Sequence, residues 1–154
     1  MIWRHVIAAL VFLFASQAAA ADETHYINPR FGTEITFPGE VFPLPQPASE
    51  NGDGMSWAGP DGAWLGVWGQ YNALEHDEKD LLAFLAAEYD EVTYSRAGKG
   101  FVVLSGFDDG KIFYLRTNFG GDGVLHTLLM RYPAERKANY DLLVAPIASS
   151  LKGP

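Results

Sequence analysis

"EVTYSRAGKGFVVLSGFDDGKIFYLRTNFGGDGVLHTLLMRY", Glu91–Tyr132, decides the fold. It holds four runs rich in β-branched and aromatic residues, Glu91–Ala97, Phe101–Phe107, Lys111–Phe119 and Val124–Tyr132, joined by "AGKG", "DDG" and "GGDG". Such joints are tight-turn chemistry, so the stretch reads as an antiparallel meander. A two-residue Asp109-Gly110 loop pairs Phe107 with Ile112 and Leu104 with Leu115. Either pairing through "GGDG" shifts the register by two residues and keeps the facing, so one face carries Val102, Leu104, Phe113, Leu115, Phe119, Val124, His126, Leu128 and Met130. That face is assigned to the core. Tyr94, Arg96, Val103, Ser105, Tyr114, Arg116, Asn118, Thr127 and Arg131 then share the opposite face.

Upstream, "HDEKDLLAFLAAEY" has Asp77 placed to cap a helix whose Leu81, Phe84, Leu85 and Tyr89 fall at helical spacing. Downstream, "PAERKANYDLLVAPIASSL" puts Tyr140, Leu143, Val144, Ile147 and Leu151 on one helical face, with Pro146 expected to kink it. A helix so apolar on one side needs a sheet to cover. "PDG" at Pro60–Gly62 separates two apolar runs and predicts a β-hairpin containing Trp57, Trp64 and Trp68. Near the start, Thr33–Phe37 reads as a short strand, after which Pro38, Pro43, Pro45 and Pro47 enforce extended, unladdered backbone.

The chain opens "MIWRHVIAALVFLFASQAAAADETHY": Arg4 and His5, a short apolar run, then small residues up to Ala21. This is the pattern of a secretory signal peptide, assigned to residues 1–21, with residues 22–154 as one α+β domain. The apolar run is shorter than the roughly 20 residues of a spanning helix, so no membrane span is expected after cleavage. With no cysteine, an exported fold relies on packing alone, which suits a bacterial periplasm. The formal charge is −8, and removal of residues 1–21 takes away Arg4 and no acid, leaving −9. Nucleic acid and anionic membrane are therefore excluded as general partners.

Two groups of residues stand out as binding candidates. Trp64 and Trp68 point to one side of their strand while Leu65 and Val67 point to the other, and Trp57 stands on the partner strand. The two rings, about 13 Å apart across Gly66, suit stacking on separate sugar units of an envelope glycan; alternatively a helix or the proline loop covers them as a second small core. Arg96 and Arg116, about 9.5 Å apart, with Tyr114 and Arg131 on the same predicted face, suit bidentate capture of a small anion. The competing reading has the arginine stems covering apolar surface while their heads pair with acids of the segment Asp77–Asp90.

Catalytic and metal chemistry find little support. His126 lies on an apolar face, where a hydrogen-bonded core histidine is commoner than a catalyst, and Ser105 faces away from it in this register. The acids of "LEHDEKD" are accounted for by capping and the helix dipole. "ENGDG" lacks the first and last acids of a calcium loop: Ser49 and Pro60 stand there. No nucleophile elbow, phosphate loop or zinc spacing is present, no cofactor is implied, and no catalytic residue is assigned.

The order of parts, with "YINPRFGTEITFP" at Tyr26–Pro38 and "MRYPAERKANYDLLVAPIASSL" at Met130–Leu151, resembles the PsbP-like family of exported α/β/α sandwich domains. There an early "Y…FG…I.YP" segment opens the sheet and a closing "YP…Y…….I..S" segment docks the last helix. The resemblance implies an antiparallel sheet, built from the N-terminal strand, the hairpin and the meander, packed with two helices. It also implies a non-catalytic role in binding or assembly. No family partner-binding segment has a counterpart here, so no site residue is carried over. The expected function is a periplasmic binding or accessory protein for an envelope glycan, a small anion or a periplasmic protein. A hydrolase of envelope glycan and a protein-protein assembly module are the alternatives.

Overall fold

The computed structural model describes residues 22–154, and the proposed signal peptide, residues 1–21, lies outside the described residues. In chain order the elements are β1 (Glu23–Ile27), β2 (Glu34–Pro38), β3 (Leu44–Pro45), β4 (Gly54–Ala58), β5 (Trp64–Tyr71), α1 (Glu78–Ala86), β6 (Glu91–Gly98), β7 (Phe101–Asp108), β8 (Lys111–Phe119), β9 (Val124–Pro133) and α2 (Lys137–Ser150). The four meander strands fall within a residue of their predicted limits, because Gly- and Asp-rich turns bound each of them. β3 to β9 form a seven-stranded sheet in the order β3-β4-β5-β9-β8-β7-β6, every pairing antiparallel.

The N-terminal strand does not join that sheet. β2 pairs with β1 in a separate two-stranded ribbon, and its other side meets the chain's end: Glu34 bridges Lys152, and the Thr36 N–H donates to Ser150 Oγ at 2.9 Å. Asn28 makes the intervening turn, its Oδ1 accepting from the N–H groups of Arg30 at 3.1 Å and Phe31 at 2.8 Å. β1 escapes sequence reading because three of its five residues are exposed and, among the described residues, its strand partner is β2 alone.

A helix packs on each face of the sheet, giving an α/β/α sandwich. On one face α1 packs over β6 and β7, where Leu82, Leu85 and Tyr89 meet buried Leu104, Phe113, Leu115 and Leu129. The Asp77 carboxylate caps α1 by accepting from the Asp80 N–H at 2.8 Å, and Glu78 accepts from the Gly100 N–H at 2.8 Å, pinning the helix to the β6–β7 turn. Phe84, placed on the buried face by its spacing, instead points outward and lies against His76; Leu82 takes its place inside. On the other face the ribbon and α2 bury Ile35, Phe37, Phe42, Trp57, Leu65, Val67, Leu128, Met130 and Ile147. α2 runs on through Pro146, with Tyr140, Ile147 and Ala148 inward.

The β7–β8 register is the predicted one, with Leu104 opposite Leu115 and Phe107 opposite Ile112. The next turn departs from expectation. Phe119 pairs with Leu125, so residues 120–124, an odd number, form the connection through a short 3-10 turn with Asp122 at φ 54°. An odd loop turns the following strand over. His126, Leu128 and Met130 therefore share a face with Asn118, Arg116 and Tyr114, while Thr127, Leu129 and Arg131 face the α1 side.

Candidate functional site

The tryptophan segment divides between the two faces. β4 and β5 pair with Trp57 opposite Leu65 and Ala58 opposite Trp64, so Trp57 sits on the α2 side. It is 6% exposed, edge-on to Tyr26 at 5.2 Å and tilted against Phe37 at 4.7 Å. Trp57 is thus core and does not extend a platform with the other two. Trp64 and Trp68 stand on the α1 side, half-buried against the Leu104 cluster. Their remaining surface flanks an open groove of about 320 Å³, lined also by Pro47, Ser49, Asp53, Ser56 and Gln70.

Two glycines shape this groove. A Cβ at Gly66 would overlap the six-membered ring of Trp64, so that ring lies across the glycine, and the gap expected between the indoles is filled by one of them. A Cβ at Gly54 would collide with the Val67 carbonyl and the Trp68 Cβ, so only glycine lets β4 lie this close to Trp68. The Trp68 indole N–H donates to Gln70 Oε1 at 3.3 Å. Ser49 Oγ bonds both the N–H and the C=O of Gly54 at 3.2 Å, fixing the groove's far wall.

The arginine group also divides. The register sets Arg96, Val103 and Arg116 in one row across β6, β7 and β8, with Tyr94, Ser105 and Tyr114 in the next, all on the face opposite α1. Burial pushes the Tyr114 hydroxyl's pKa up, partly offset by the neighbouring Arg116 charge. Arg131 is not among them. It faces the α1 side and pairs with Asp108 at 2.8 Å, which makes it scaffold beside Tyr89. The α1 acids take no part in this pairing.

His126 and Ser105 share a face after all, contrary to the sequence register. They remain two strands and four residues apart, a separation of about 16 Å that prevents a direct pair. The His126 ring is buried, with Nδ1 hydrogen-bonded to the Thr33 hydroxyl at 2.8 Å and Nε2 against Gly120 and Gly153 without a bonded partner. Burial lowers its pKa below the ordinary 6.5, the nearby Pro154 backbone opposing. The unfolded chain therefore takes up the proton first as the pH falls. Folding stability is expected to be intact above pH about 6.5 and to decline below it, with a smaller decline in His126→Gln; urea unfolding at several pH values measures the difference.

A polar cluster that sequence reading missed joins the hairpin turn to α2. Asp61 accepts from the Tyr140 hydroxyl at 2.8 Å and pairs with Arg136 at 3.4 Å, while Tyr132 stacks on Tyr140 at 4.9 Å and donates to Asp141 at 3.0 Å. Burial, then the Asp61 hydrogen bond, pushes the Tyr140 hydroxyl up to about 12. Burial opposes ionisation of Asp61, but hydrogen bonds from Tyr140 and the Ala63 N–H prevail and hold its carboxyl below the usual range. The Asp of "PDG" is the sequence signal, but its tyrosine partner is 79 positions away.

The fold is similar to the solution structure of cyanobacterial PsbP from Synechocystis sp. PCC 6803, with a TM-score of 0.63 and 16% sequence identity over 90% of this chain and 96% of that one. The chain has a PsbP-like fold. No family profile and no curated protein matches its sequence.

Proposed function

We propose that the protein is a non-catalytic binding or accessory protein of the bacterial periplasm, and that the groove beside Trp64 and Trp68 receives an envelope glycan. The observation that carries this reading is the pair of half-buried indoles flanking a groove whose lining also includes Ser49, Ser56, Gln70 and Pro47. Sugars present flat C–H faces and a rim of hydroxyls, and this lining offers aromatic faces beside short hydrogen-bonding side chains. Asp53 is the one carboxylate among the lining residues, and it accepts from Asn51 Nδ2 at 2.9 Å. Glycoside hydrolysis ordinarily uses two carboxylates, so the lining favours binding over cleavage. The signal-peptide pattern of residues 1–21 supports export, and no described helix is long and apolar enough to cross a membrane.

Acrylamide quenching of the chain from residue 22, with and without peptidoglycan fragments, tests this. Buried Trp57 supplies an unresponsive background. The expected result is ready quenching of Trp64 and Trp68, protection by the fragments, and an affinity about tenfold weaker in Trp68→Ala, equivalent to about 1.4 kcal/mol. Rings that quench poorly and ignore the fragments would overturn the glycan reading. A changed mass spectrum of the fragments would replace it with the hydrolase.

A further inference from the structure

We infer that the sheet face around Arg96 and Arg116 is a docking surface for an acidic segment of a partner protein. The sandwich leaves the β6–β7 end of this face without a helix. α2 lies over β2, β9 and the near side of β8, so the β6–β7 end of this face lies beyond the helix, with Val103 buried among its neighbours. Tyr94 is 52% exposed and Phe107 40% exposed, and Arg96 is exposed beside them. β6 ends the strand order, with no strand on its outer side among the described residues. Exposed edges are normally guarded or occupied.

The two arginines are built into place. A Cβ at Gly98 would overlap the Phe101 ring, so that ring extends from β7 across the edge strand. The Arg96 guanidinium lies 5.7 Å and that of Arg116 4.3 Å from the Phe101 centroid, bringing two cations to one aromatic ring. Arg116 Nε donates to Asn118 Oδ1 at 2.8 Å, which fixes the plane of its guanidinium. Among the described residues no carboxylate lies within 4.0 Å of either guanidinium, although acids outnumber Lys and Arg 19 to 11 along the chain. Arg131, Arg136, Lys137 and Lys152 do have such partners.

Unpaired arginines beside exposed Tyr94 and half-buried Tyr114 have the composition of an interface centre. The occupant follows from charge. A long polyanion or an anionic membrane would meet the acidic remainder of the molecule, whereas a short acidic segment places its carboxylates on Arg96 and Arg116 and its stems on Tyr94, Phe101 and Tyr114. On this flat sheet face both guanidinium groups lie against the one Phe101 ring, 5.7 and 4.3 Å from its centroid, within reach of alternate acidic side chains of an extended segment, which stand about 7 Å apart. This proposal does not depend on the glycan groove.

The test is fluorescence anisotropy of a labelled dodecapeptide of alternating Glu and Val, with alternating Lys and Val as control, on the chain from residue 22 at low salt. Binding of the acidic peptide alone is expected, at least tenfold weaker in R96E/R116E and in R96Q/R116Q, weakened by added salt, and unchanged in Trp64→Phe. Thermal unfolding of the two double variants within a few degrees of wild type shows that the loss is not misfolding. Absence of acidic-peptide binding, or binding equal in the double variants, would overturn the proposal. So would full competition by millimolar inorganic phosphate, which would make the pair a small-anion site. Self-association in sedimentation that the double variants abolish would overturn it too, since the occupant would then be a second copy.

Discussion

Phe113→Ala is expected to lower folding stability by about 3–5 kcal/mol, against the roughly 5–15 kcal/mol that a domain commands. Phe113 is fully buried on the α1 face and stacks on Tyr89 at 3.9 Å with the planes 10° apart. Tyr89 follows the last turn of α1, so this stack and the Leu104, Leu115 and Leu129 contacts hold the helix to the sheet. α1 has nine residues, fewer than an isolated helix needs to persist in water, and therefore exists by virtue of that packing. Truncation removes the ring's transfer energy and leaves a cavity under the helix. Urea unfolding would show the fall, and hydrogen exchange would show the α1 amides losing protection before those of β9. Leu142→Ala, on a side chain 76% exposed, provides the control and is expected to stay within about 0.5 kcal/mol of wild type. A Phe113→Ala loss below about 1 kcal/mol would mean that α1 is held by something else.

Gly106→Val is expected to cost about 3 kcal/mol or more and to peel β6 from β7. A Cβ at Gly106 would overlap the Glu91 carbonyl, at the point where the β6 register shifts between Val92 and Tyr94. The obstacle is backbone rather than the end of a flexible side chain, so it cannot swing aside. β6 is an edge strand held by β7 along one side, and moving its start unzips the element that carries Tyr94 and Arg96. Hydrogen exchange of the Glu91–Gly98 amides reports this directly. Unchanged protection, together with an unchanged melting temperature, would show that the bulge absorbs the side chain. If β6 detaches, acidic-peptide binding should fall with it.

The tryptophans and arginines show how far side-chain alternation carries a site assignment. Alternation along β5 correctly separates Trp64 and Trp68 from Leu65 and Val67, because only one of its faces carries an aliphatic row. Trp57 cannot be placed the same way. Its side depends on the connection 59–63, where the Gly59 N–H donates to the Ala63 carbonyl at 2.9 Å and sets Trp57 opposite Leu65. Arg131 and His126 change faces with β9. That strand is buried on both sides, with Leu125 and Leu129 toward α1 and Leu128 and Met130 toward α2, so its pattern contains no polar face to orient it. Arg96 and Arg116 keep their predicted relation because the β6–β7 and β7–β8 turns are short and glycine-bounded.

By itself, the amino-acid sequence determined where the four meander strands begin and end, that their pairing is antiparallel, and that two helices accompany them in an α+β fold. Those features are local, set by turn residues, capping and apolar period. Tertiary structure alone decided that β9 lies between β5 and β8, that β1 and β2 form a separate ribbon, that α1 covers the face opposite Arg96 and Arg116, and that Trp64 lies across Gly66. Each of these turns on non-local contacts or on a loop of one more or one fewer residue. Shifting a strand by a single residue exchanges its two faces, and nothing in the strand's own sequence opposes the exchange when both faces are apolar.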